Sequence, residues 1–117
     1  MTASRKDSIV GREADVIVTD PWEFMTEVGL GPLLGHVKSF EKNERRFTRI
    51  VVDLVHPVTY RGKLIVSITA TSRHRDTPTV DAVLNGVGMP ANMEGSPTID
   101  KAGETHPVPL LGEIRIR

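Results

Sequence analysis

The chain has 117 residues, with 15 basic and 15 acidic side chains and no cysteine. Disulfides, thiolate metal sites and cysteine nucleophiles are therefore excluded, and this length suits one domain that buries roughly two-thirds of its unfolded surface. No apolar run approaches the ~20 residues of a membrane-spanning helix, and the opening MTASRKDSIVGREA lacks the apolar stretch of a secretory signal, so a cytoplasmic, non-membrane protein is expected.

The first thirteen residues are polar and unpatterned, and a frayed N-terminus over 1–13 ahead of a single globular domain at 14–117 is the expectation. Val16-Ile17-Val18 is a short β-branched run and the first strand signal. Asp20, Pro21 and Glu23 then stand at the N-cap, first and third positions of a helix, the spacing of a capping box. Trp22, Phe24, Met25 and Val28 supply apolar positions at helical spacing, and Gly29 suits a left-handed terminus, so a helix is predicted over 21–28 with Trp22 and Phe24 as core residues.

LLGHVKSF is a weaker strand, followed by a polar turn at EKNER. In RFTRIVVDLVH, Ile50, Val52 and Leu54 share one face, with Phe47, Arg49, Val51, Asp53 and Val55 on the other. In KLIVSITAT, Leu64, Val66, Ile68 and Ala70 face one way, and Ile65, Ser67, Thr69 and Thr71 the other. The connection HPVTYRG reads as a longish hairpin loop because it holds Pro57 and Gly62. A second short helix is predicted over 78–85, capped by Thr77 and ended by Gly86. Residues 88–109 are rich in Gly and Pro and read as a long connection that is functional, disordered or hides a short strand. LLGEIRIR closes the chain with Leu110, Ile114 and Ile116 opposed to Glu113, Arg115 and Arg117. The fold class expected is strand-dominated α+β: an antiparallel sheet of about five strands, curling toward a small half-open barrel, with two short helices.

The balanced charge is laid out unevenly. Residues 1–35 carry three basic and six acidic side chains, residues 36–75 nine and three, and residues 76–117 three and six. Opposite charges on neighbouring strands neutralise such a pattern; the other reading is an anion- or nucleic-acid-binding face over 36–75, with Phe40, Phe47 and Tyr60 as the few stacking platforms. Asp53 is the one acid on a strongly apolar strand, and burial there would demand a cationic partner.

Catalytic motifs are weak. VIVTDPWEF departs from the Asp-Pro-Pro-aromatic motif of amino-methyltransferases, since Trp22 stands at the second proline and no glycine-rich cofactor turn accompanies it. SRHRD places a possible general base, His74, beside Asp76, with Arg73 and Arg75 as anion binders. A metal-assisted hydrolase centred on His74 and Asp76, with Glu104 and His106 converging on them, is the third-ranked function. The four histidines, His36, His56, His74 and His106, lie 20, 18 and 32 residues apart, and none forms the short-spaced pair that zinc sites commonly use. No metal or cofactor is expected.

The leading expectation is a non-enzymatic protein-interaction module of the immunity, antitoxin or adaptor kind, binding another protein or a second copy of itself. Its contact surface is expected at the sheet face bearing Phe47 and Ile65 and at the 88–109 loop with the adaptable side chains Met89 and Met93, Arg73 and Arg75 adding anion contacts.

Overall fold

The computed structural model describes residues 9–43, 47–73, 80–99 and 103–117. In chain order the elements are β1 (Glu13–Asp20), α1 (Trp22–Val28), β2 (Leu33–Asn43), β3 (Phe47–Tyr60), β4 (Lys63–Arg73), α2 (Val80–Leu84), β5 (Met89–Pro97) and β6 (Val108–Ile116). Every strand is antiparallel to its chain neighbour, and β6 returns to pair with β1 from Ala14↔Ile116 to Asp20↔Leu111. The expected antiparallel sheet is thus a closed six-stranded barrel rather than a half-open one. Closure pairs backbone groups that an open sheet would leave along its edges.

The interior is layered by register. Phe40, Ile50, Ala70, Met93 and Leu110 are successive cross-strand partners from β2 to β6, and Val37, Val52, Ile68, Gly95 and Val108 form the next inward row. Ala14 and Val16 continue the core across the β1–β6 seam to Ile116 and Ile114. Each such aliphatic side chain removed from water contributes about 1.5–3 kcal/mol, so these layers are the main stabilising term. Ile9 also packs in this core, and Gly11 and Arg12 exchange backbone hydrogen bonds with Val37, so ordered structure begins before residue 14.

The sixth strand is β5, in the Gly- and Pro-rich stretch. Met89, Ala91, Met93, Gly95 and Pro97 are buried, while Pro90, Asn92 and Glu94 alternate outward. Prolines near its two ends break the usual strand composition, yet the period of two persists.

The β3–β4 hairpin differs from the expected loop. Strand β3 continues through HPVT to Tyr60, and Arg61 and Gly62, both at positive φ (51° and 75°), form a two-residue turn of the kind that matches strand twist. His56 and Pro57 lie in a bulge, where the register jumps from Asp53↔Ser67 to Val58↔Ile65. There Pro57 has no ladder position in which its missing N–H would be needed. A second bulge lies in β4 itself, where Ser67↔Ser96 follows Ile65↔Pro97, and its extra residue, Val66, reverses the alternation across it. Ile65 is accordingly 0 % exposed and Leu64 43 % exposed, the opposite of the unbroken pattern. Asp53 is exposed opposite His36, so no buried ion pair is required.

Helix α1 also departs from expectation at its start. Asp20 belongs to β1, paired with Leu111, and the N-cap is Pro21 in extended conformation with no side-chain capping hydrogen bond, so the capping box does not form. Gly29 ends the helix as expected, at φ 120°, its N–H donating to the Met25 carbonyl. A seven-residue helix is too short to persist without tertiary contacts. Phe24 supplies one, packing edge-on to Tyr60 at 5.1 Å, and the Glu27 carboxylate supplies another by accepting the Arg61 backbone N–H. Trp22, expected in the core, is 61 % exposed. Gly86 terminates α2 at φ 84°, while Thr77 and Pro78 lie outside the described residues.

Cross-strand charge pairing occurs within the basic segment rather than between it and its acidic flanks: Arg49 reaches Glu41 at 3.6 Å on adjacent strands. At the chain's last residue, Arg117 pairs with Asp15 at 3.0 Å and donates its backbone N–H to the Glu13 carbonyl. Asp15 hydrogen-bonds and attracts the Arg117 guanidinium, raising its pKa further above its ordinary value. None of the described helices is long and apolar enough to cross a membrane.

Candidate functional site

Between the inward rows run outward ones, and two of these build a cleft. Arg49, Thr71, Asn92, Leu111 and Asp20 are successive partners across β3, β4, β5, β6 and β1. Val51, Thr69, Glu94 and Pro109 form the parallel row beside them. These side chains are the floor of a cleft of about 990 Å³, walled by Pro21 at the start of α1 and by Tyr60 and Arg61 at the hairpin tip. Four strand spacings of ~4.8 Å give the first row a contour of about 19 Å around the barrel wall. A second concavity of about 460 Å³ shares Thr71, Asn92 and Leu111 and adds Arg73 and Pro90, extending the groove.

The floor is amphipathic. Val51, Pro109 and Leu111, the last 46 % exposed, give apolar surface, and Thr69, Thr71 and Asn92 give hydroxyl and amide groups. Arg49 is anchored: its Nε donates to the Thr71 hydroxyl at 3.4 Å, and its guanidinium lies 4.6 Å from the Phe47 ring centroid. Arg61 lies over the Tyr60 ring at 5.1 Å. Asp20 and Glu94 complete the charges of the cleft.

Tyr60 is 1 % exposed, and its hydroxyl has no hydrogen-bond partner among the described residues. An unpartnered buried hydroxyl costs about 1–3 kcal/mol. Tyr60→Phe keeps the ring against Phe24 and is expected to leave stability unchanged or raise it by up to about 1 kcal/mol. A thermal melt lowered by several degrees would show that the hydroxyl is satisfied after all.

The residues expected to form a contact surface are dispersed. Phe47 is half-buried on the outer face, directly across from Arg73. Ile65 and Met89 are fully buried and Met93 nearly so, its edge reaching the cleft floor, so Ile65, Met89 and Met93 act as core rather than as exposed contacts. The bulge at Val66 explains Ile65, and the strand character of β5 explains both methionines. His74, Arg75 and Asp76 lie outside the described residues. Glu104 and His106 approach each other at 3.9 Å beside a cavity of about 110 Å³, and among the described residues no three His, Asp or Glu side chains gather to hold a metal.

Sequence reasoning missed Asn92, Glu94, Leu111 and Asp20 as site residues. The first two were hidden with β5, and Asp20 was assigned to a cap. The alternation of Thr69 and Thr71 on the face opposite Ile68 and Ala70 was the one visible signal.

The fold and cleft define a small, closed, antiparallel meander barrel with an amphipathic groove across its outer face. Comparison with protein-family models, with curated proteins and with solved structures gives no significant match.

Proposed function

We propose that the chain is a non-enzymatic protein-interaction module that engages its partner through the cleft across β3–β6 and the end of β1. The observation that carries this reading is the floor itself: apolar side chains interleaved with hydroxyl, amide and charged groups of both signs, on rigid strands. Apolar surface supplies affinity, and fixed polar groups supply register and specificity. The cleft is long and open, a shape suited to a segment of polypeptide rather than to an enclosed small molecule. Trp22, the residue after the cleft-wall Pro21, is the kind of exposed aromatic that anchors interfaces.

The test is capture by the immobilised chain from extracts of its native host, with Leu111→Ser as the matched control. Leu111 is exposed, so the variant is expected to melt within a few degrees of the parent. One stoichiometric partner is expected, with binding about tenfold weaker for Leu111→Ser, the cost of losing an apolar contact at an interface centre. Absence of any stoichiometric partner, together with a monomeric mass by light scattering, would refute both the hetero- and homo-oligomeric forms of the proposal.

A second reading, anion or nucleic-acid binding, draws support from Phe47 with Arg49 over its ring and Arg73 opposite. The Glu41 contact to Arg49 and the acids Asp20 and Glu94 on the same outer surface oppose a polyanion. That reading requires affinity for single-stranded DNA that falls steeply with salt.

A further inference from the structure

The charges of the cleft separate into engaged and available. Arg49 is paired with Glu41 at 3.6 Å and stacks over Phe47, while the Arg61 guanidinium lies over the Tyr60 ring with no carboxylate partner among the described residues. The carboxylates of Asp20 and Glu94 are exposed and have no hydrogen-bond or ion-pair partner among the described residues. They are on neighbouring outward rows, Asp20 opposite Leu111 and Glu94 opposite Pro109, so apolar floor adjoins both. Tyr60, on the wall next to Arg61, adds a buried hydroxyl whose hydrogen-bonding capacity the described residues do not use.

From this we infer that the occupant of the cleft is an extended, basic and apolar segment of the partner protein. Its Lys or Arg cations meet Asp20 and Glu94, and its apolar side chains lie along Val51, Pro109 and Leu111. The inference rests on the protein-interaction reading and gives the partner segment a charge. That charge is opposite to the one the basic stretch 36–75 would select, because Glu41 offsets Arg49 and leaves the two unpaired carboxylates against Arg61 alone. Each exposed carboxylate–cation pair changes affinity by up to about fivefold, so the charges select among segments whose apolar contacts are equal.

The experiment titrates the full chain with three capped hexapeptides, identical in their apolar residues and bearing two Lys, two Gln or two Glu, by calorimetry at low salt. The Lys peptide is expected to bind about tenfold more tightly than the Glu peptide, with the Gln peptide between them. Asp20→Asn and Glu94→Gln are each expected to weaken the Lys peptide about two- to fivefold, and the double variant Asp20→Lys, Glu94→Lys to reverse the order. Both positions are exposed, and melting curves verify folding of each variant. The inference is overturned if the Glu or Gln peptide binds as tightly as the Lys peptide, or if the Lys peptide does not bind at all. Failure is separable from that of the underlying reading: a partner lost on Leu111→Ser but unaffected by Asp20→Asn and Glu94→Gln rejects the basic segment and keeps the interaction site, whereas absence of any partner rejects the site.

Discussion

Ile65→Lys is expected to destabilise the protein by more than about 4 kcal/mol, while Leu64→Lys, one residue earlier, changes stability by no more than about 0.5 kcal/mol. Ile65 is 0 % exposed and opposite Pro97, so its replacement puts an ammonium group without a counter-ion into the barrel. The side chain at 64 projects into solvent. Because small domains are stable by only about 5–15 kcal/mol, the first variant is expected to be largely unfolded under mild denaturant. Urea titrations of the two proteins decide the matter, provided the slope of each transition is unchanged. Equal midpoints would mean that the bulge at Val66 does not shift the alternation of β4.

Gly112→Ala is expected to cost about 3 kcal/mol or more, toward the upper end for overpacking. A Cβ on Gly112 would overlap the carbonyl oxygen of Ile17 and come within 3.0 Å of the Val18 Cα. Both obstacles are backbone, so no side-chain rotation relieves them. Relief requires β1 to move away from β6 at the seam that closes the barrel, where Gly112 faces Val18. Amide hydrogen exchange along Val16–Val18 and Gly112–Ile114 is therefore expected to accelerate more than exchange in the β3–β4 ladder. Gly62→Ala is the control: nothing lies within 4 Å of its Cβ position, and only its positive φ of 75° is strained. A loss of about 1 kcal/mol is expected there. If Gly112→Ala melts with the parent protein, the close approach of β1 and β6 is not as described.

What could be read in advance follows from how local each cause is. Alternation over Ile50, Val52 and Leu54 and over Leu110, Ile114 and Ile116 identified inward faces correctly, since each side chain's side is set by the residue two before it. Gly29 and Gly86 were legible as helix ends because a positive φ is a property of one residue. Asp20 was misread because the capping pattern is local, whereas its place opposite Leu111 depends on a strand more than ninety positions away. Trp22 was misread for a similar reason: helical spacing says which residues share a face, but Phe24 alone meets Tyr60.

By itself, then, the amino-acid order determined a strand-rich, antiparallel, cysteine-free domain with two short helices and most of its inward-facing residues. Tertiary structure alone decided the closure of the barrel, the phase of β4 beyond its bulge, the existence of β5 and the cleft. The physical reason is register. Which outward residues stand side by side is set by hydrogen-bonded pairing between segments far apart in sequence, so Arg49, Thr71, Asn92, Leu111 and Asp20 become one row only when five strands are laid together.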